Sequence, residues 1–149
     1  MGNIWRSPTA EAVFRGLLAK AGLDNLIHCD SAGTHDYHIG EAPDERSIAA
    51  GRRRGYDLAS LRARQVGVAD FARFSYVLAM DRQNLAALKR LQPDQSTARL
   101  MLYGDMHNHY AGQDVPDPYY GGVAGFERVL DMAEAISVSL LETIRADAN

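Results

Sequence analysis

The sequence predicts an α/β protein built on a parallel sheet. Runs with strand character alternate with runs of helical periodicity, and the intervening helices can serve as the right-handed crossovers that parallel strands require. With 149 residues, 46% of them hydrophobic, the chain has the size and apolar content of one domain, residues 1–149, with a buried core. The first helix is expected to be capped by Ser7, with Pro8 in its first turn. Its apolar face is Ala10, Val13, Phe14, Leu17, Leu18 and Ala21, and Gly22 stops it. Residues 26–30 read as a short strand ending in the turn Ser31-Ala32-Gly33, and a helix over 44–54 is closed by Gly55. Residues 75–80, with Tyr76, Val77 and Leu78, read as a buried strand. Asp81 then caps a helix through Leu85, Leu88 and Leu91, and residues 99–103 form a further strand. The polar segment 104–125 shows no period, and a structureless loop of that length in a compact domain points to function. The last helix places Phe126, Val129, Leu130, Ala133, Ile136, Leu140 and Ile144 on one face.

Charge and composition narrow the function classes. A net charge of -3 and a pI near 5.9 give no basic footprint for nucleic acid, and Arg52-Arg53-Arg54 reads as a solvated face. No apolar run has the length of a membrane span and no signal peptide is visible, so the expected location is cytoplasmic, with no membrane partner. The one cysteine, Cys29, excludes an internal disulfide framework and a Cys-rich metal site, and its strand position reads as a small buried hydrophobe. Neither His35 with His38 nor His107 with His109 brings the third ligand that a catalytic zinc needs, so no metal and no cofactor is expected.

The chain opens MGNIWRSPTAEAVF. A loop of Gly2, Asn3, Ile4, Trp5, Arg6 and Ser7 rising into a helix would aim backbone N–H groups and the positive helix end at one spot, which suits a phosphate. Arg6 could add two parallel donors; the plain alternative is an exposed arginine beside a helix cap. In the long segment, Asp117 of VPDPYY could protonate a leaving oxygen and later deprotonate water, or it could serve only in an Asp-Pro turn.

GNIWRSPTAEAVF resembles the active-site loop and first helix of the low-molecular-weight protein tyrosine phosphatases, whose motif is Cys-X5-Arg-Ser. DSAGTHDYHIGEAPDERS, RARQV, DFARFSYVLAMDRQNL and VPDPYYGG resemble the family's later blocks in order, over essentially the whole chain. The resemblance implies a phosphatase I-like fold, a four-stranded parallel sheet flanked by helices on both faces. It implies hydrolysis of phosphotyrosine in a protein, or of an aryl phosphate, through a phosphocysteine, with inorganic phosphate or sulfate as a ligand. Counted back from Arg6, the nucleophilic cysteine falls immediately ahead of Met1, so it and the strand leading into it are absent from the 149 residues, and this chain is expected to be inactive as it stands. Arg6 and Asp117 take the catalytic roles, residues 2–7 bind phosphate, Ser31 supports the loop, and Tyr37, Tyr119 and Tyr120 wall the slot for a phenyl ring.

Departures from the family pattern matter as well. Trp5 stands where many relatives have a second cysteine, which removes a protective disulfide with the nucleophile. Leu61 replaces a histidine that supports the loop, and Ile4, where phosphoarginine-directed relatives tend to carry threonine, favours phosphotyrosine. Two other readings stand beside the phosphatase: a phosphate-binding pseudophosphatase, and an arsenate reductase on the same fold, whose chemistry needs several cysteines.

Overall fold

The structure, a computed structural model, describes Gly2 and residues 5–148, with the backbone alone at Tyr120. Helix α1 (Arg6–Lys20) starts a residue ahead of the predicted cap. Trp5 is the N-cap and lends no side-chain bond; instead Thr9 Oγ1 donates back to the Trp5 carbonyl at 2.8 Å. Ser7 therefore lies inside the first turn, beside Pro8, whose missing N–H would have had no acceptor there. Gly22, at φ 71°, ends the helix in the left-handed region that glycine enters at no steric cost.

Helix α2 (Glu45–Arg53) is capped by Asp44, whose carboxylate accepts the Arg46 N–H at 2.9 Å. A short helix α3 (Asp70–Arg73), not foreseen from the sequence, leads into β1 (Tyr76–Ala79). Asp81 caps α4 (Arg82–Leu91) by accepting the Asn84 N–H at 2.7 Å, and β2 (Arg99–Leu102) follows. The final helix, α5 (Gly122–Ala148), begins inside the segment expected to be loop.

Strands β1 and β2 pair in parallel, Tyr76 opposite Arg99 through Ala79 opposite Leu102. Alternate side chains along β1 and the residue after it go to opposite faces: Leu78 and Met80 pack toward α1 and α5, while Val77 and Ala79 join Phe71, Leu88 and Leu100 on the side of α3 and α4. The class is thus α/β with helices against both faces of a parallel sheet. Most of the core lies between α1 and α5, where Val13, Phe14 and Leu18 meet Leu130, Ala133, Leu140 and Leu141.

Three expectations need correction. Residues 26–30 form turns and extended chain but no strand, because no neighbour among the described residues offers them a ladder; only an isolated parallel bridge joins Gly33 to Gln65. The strand expected over 75–80 is four residues long, Tyr76–Ala79, with Val77 and Leu78 half-buried, and among the described residues β1 pairs only with β2. The segment 104–125 is not structureless. It holds 3₁₀ turns at Tyr103–Met106 and Pro118–Tyr120, and it is tightly folded: a Cβ on Gly104 would come within 2.6 Å of the Tyr110 carbonyl oxygen. Such turns are held by aperiodic bonds, as where Asp105 accepts the Gly112 N–H at 2.8 Å, and leave no repeating signature in the sequence. Among the described residues no helix is long and apolar enough to cross a membrane.

Candidate active site

Three stretches of chain meet at the start of α1. Arg6, in its first turn, reaches across the fold with a single nitrogen: Nη1 lies 2.8 Å from Asp81 Oδ2 and donates to the Val115 carbonyl at 2.9 Å. Both partners are nearly buried, at 10% and 19% side-chain exposure for Arg6 and Asp81, so the guanidinium is held in one orientation. Among the described residues its Nε and Nη2 have no partner, which leaves open the edge with two parallel N–H donors. Burial opposes ionisation of Asp81, yet the Asn84 N–H and the Arg6 guanidinium outweigh it and hold the carboxyl below the usual carboxylate range. Asp81 therefore serves twice, as helix cap and as the anchor of Arg6. Sequence reasoning saw only the cap, because nothing local distinguishes a cap from a cap that also grips an arginine 75 positions away.

The Val115 contact brings the Asp117 segment beside Arg6. Asp117 is exposed, and its carboxylate accepts the Tyr119 N–H at 2.9 Å, closing a small turn on the rigid Pro116–Pro118 backbone. The Tyr119 ring, half exposed, leans on Trp5 with centroids 5.6 Å apart, and the Arg46 guanidinium lies over the ring at 5.1 Å. Trp5 is half-buried with its indole N–H unbonded among the described residues. It is near enough to Asp44 to help the Arg46 guanidinium lower that carboxyl against the opposing effect of burial.

The third stretch is the loop around residues 35–41. Tyr37 stacks on His35 at 5.0 Å and is 68% exposed, and next to it His38 sits against Gly2, where a Cβ would overlap its ring. His38 Nδ1 lies 2.8 Å from Glu41. Ser31 Oγ donates to Glu11 at 2.6 Å and lines, with Gly2, Trp5, Arg6 and Ser7, the large cavity beneath. The structure thus gathers Gly2, Trp5, Arg6, the Asp117 turn and Tyr119, with Ser31 lining the cavity through its bond to Glu11, whereas Tyr37 is exposed and packs only on His35 and His38 among the described residues. Asn3 and Ile4, expected in the phosphate loop, and the side chain of Tyr120 lie outside the described residues.

The remaining groups are otherwise engaged. The Cys29 thiol, half-buried among Phe14, Leu18 and Leu140, is pushed up to about 12 by burial and by Glu11, so it stays protonated. Asp114 accepts the Arg82 N–H at 3.1 Å. His107 and His109 lie against Tyr110, and no three His, Cys, Asp or Glu side chains group as metal ligands among the described residues.

Comparison with known proteins gives the chain's relatives. The model of the family described as low molecular weight phosphotyrosine protein phosphatase matches residues 1–149. The low molecular weight protein-tyrosine-phosphatase of Streptomyces coelicolor is 46% identical over 147 residues, covering 97% of this chain and 89% of the relative. The crystal structure of YfkJ from Bacillus subtilis superposes with a TM-score of 0.91 at 38% identity, over 100% of this chain and 92% of that one. A protein tyrosine phosphatase of Entamoeba histolytica, solved with Hepes in its active site, gives a TM-score of 0.92 at 38% identity, over 100% and 95%.

Proposed function

The chain belongs to the low-molecular-weight phosphotyrosine protein phosphatase family, and from that premise we propose that it carries the phosphate-holding and acid–base parts of a phosphotyrosine hydrolase. The observation that carries the proposal is the fixed Arg6, whose open Nε and Nη2 edge stands beside the Asp117 turn through the bond to Val115. In this reading the edge takes two phosphoryl oxygens, with Gly2, Asn3, Ile4, Trp5 and Ser7 supplying the loop around them. Tyr119, braced by Trp5 and Arg46, offers an aromatic wall to the phenyl ring, with Tyr37 and Tyr120 as its companions and Ser31 supporting the loop from below.

The reaction uses a thiolate at the position that the Cys-X5-Arg spacing sets one residue ahead of Met1. The sulfur attacks phosphorus, the P–O bond to the phenol breaks, and Asp117 gives its proton to the departing oxygen. Water then attacks the S-bound phosphorus while the Asp117 carboxylate takes its proton, releasing phosphate and the thiolate. Cys29 is no substitute, being protonated and packed against α1. A cytoplasmic setting keeps such a thiolate reduced. The same reading completes the sheet to four strands, residues 28–32 and β1 flanking a strand that leads into Gly2. An arsenate reductase would need several cysteines, and the 149 residues hold one.

The test is to join a strand ending in cysteine and one further residue to Gly2 and to follow hydrolysis of an aryl phosphate. The extended protein should turn over, while its Cys→Ser version and the 149-residue chain should not. Asp117→Asn should slow it by about 10²–10⁴, most for poor leaving groups. An extended protein that folds and binds phosphate but stays inert would make this a phosphate-binding module instead.

A further inference from the structure

Asp117 stands on a stretch of chain that is anchored on both sides. Ahead of it, the Val115 N–H donates to the Met80 carbonyl at 2.7 Å, the Val115 carbonyl accepts from Arg6, and the Val115 side chain is buried. Behind it, Pro118 is buried. Its carbonyl accepts the Gly121 N–H at 3.2 Å, and a Cβ on Gly125 would come within 3.0 Å of that oxygen. Only Pro116 and Asp117 lie between these anchors.

The anchor ahead of Asp117 is tied to the start of α4. Between the end of β1 at Ala79 and the start of α4 at Arg82 lie only Met80 and Asp81. Met80 holds Val115 and Asp81 holds Arg6. Arg82, the next residue, holds the chain just upstream of Val115. Its N–H donates to Asp114 Oδ1 at 3.1 Å, its Nη2 donates to the Gly112 carbonyl at 2.6 Å, and its Nη1 lies 3.8 Å from Asp114 Oδ1. Three consecutive residues thus grip the anion-facing arginine and the path toward the acid. At 68% and 44% side-chain exposure the Arg82–Asp114 pair is wet, and such pairs contribute little to stability. A guanidinium that grips a carbonyl and a carboxylate together still removes freedom from the residues between them, so its consequence is where that stretch lies.

We propose that Arg82 is a positioning residue for the acid turn. By tying Gly112 and Asp114 to the first turn of α4, beside the Asp81–Arg6 pair, it fixes how far the Asp117 carboxyl lies from a phosphoryl group held at Arg6. Proton transfer needs the donor within about 2.6–3.2 Å of the departing oxygen, so a turn that drifts by about 1 Å loses most of that contact. The inference rests on the acid role proposed for Asp117 and adds to it the group that aims the acid.

The test begins with amide hydrogen exchange in the 149-residue chain. Arg82→Ala should speed exchange at Val115 by about tenfold or more and leave Ala133, in the α5 core, unchanged. The extended protein, with a strand and cysteine ahead of Gly2, then gives kcat/KM for two aryl phosphates. Arg82→Ala should lower it about tenfold for phenyl phosphate, whose poor leaving group needs the proton, and by less than about threefold for p-nitrophenyl phosphate. Arg82→Lys keeps the charge but not the two-nitrogen grip and should recover part of the loss. Added to Asp117→Asn, Arg82→Ala should slow phenyl phosphate hydrolysis no further, because its effect passes through Asp117. With Asp117→Asn slow, three results would each overturn the role of Arg82 alone: unchanged exchange at Val115, equal losses for the two substrates, or a full further loss on top of Asp117→Asn. An inert extended protein, or an Asp117→Asn variant as fast as its parent, would strike the acid role and this inference with it.

Discussion

Replacing Arg6 by alanine should weaken binding of phosphate or vanadate by the 149-residue chain by about 10–150-fold. The magnitude follows from the geometry. Arg6 Nη1 is committed to Asp81 and Val115, at 2.8 and 2.9 Å, so an anion meets the Nε and Nη2 edge, and losing a hydrogen bond to a charged group costs about 1.5–3 kcal/mol. Arg6→Lys keeps the charge but not the fork, and should recover only part of the affinity. Asp81→Asn is the complementary change: asparagine can still cap α4 but no longer holds the guanidinium by charge, so affinity should fall to between those of the parent and Arg6→Ala. Calorimetric titration at pH 7 and fixed ionic strength measures all four, since salt screens such contacts, with circular dichroism to confirm unchanged helix content. Equal affinities of the parent and Arg6→Ala would refute the assignment of the anion to this edge.

Acid should destabilise the fold through Asp70 and Asp81. For Asp70 burial raises the carboxyl pKa, but the two bonds from Arg64 at 2.9 and 3.0 Å and the Gly67 N–H at 2.8 Å win, so both carboxyls titrate below the unfolded value of about 3.9. Their contribution is present above that value and is lost as pH falls through the folded values; urea midpoints from pH 6 to 3 should drop below about pH 4, and Asp70→Asn should flatten the drop. An identical pH profile for parent and variant would exclude Asp70 as a cause. In the core, Ile136→Ala should cost about 2–5 kcal/mol, because Ile136 is fully buried, whereas Leu78→Ala, at a half-buried position of β1, should cost less than half as much in the same urea titration. A larger loss at Leu78 than at Ile136 would refute this ranking by burial.

Much of the helical frame was legible in residue order. Gly22 and Gly55 stop helices in the left-handed region, Asp81 caps α4, and the apolar face of α5 is the one that packs, because helix hydrogen bonds and caps join residues three or four apart. The blocks GNIWRS and VPDPYY suggest a phosphate loop and an acid turn only through a family likeness, and neither shows why Arg6 and Val115 should meet. Tertiary structure decided what depends on partners distant in sequence. Residues 26–30 have strand periodicity yet make no strand, since a strand exists only with a ladder beside it, and Asp81 anchors Arg6 because the fold closes a separation of 75 residues that no local pattern encodes.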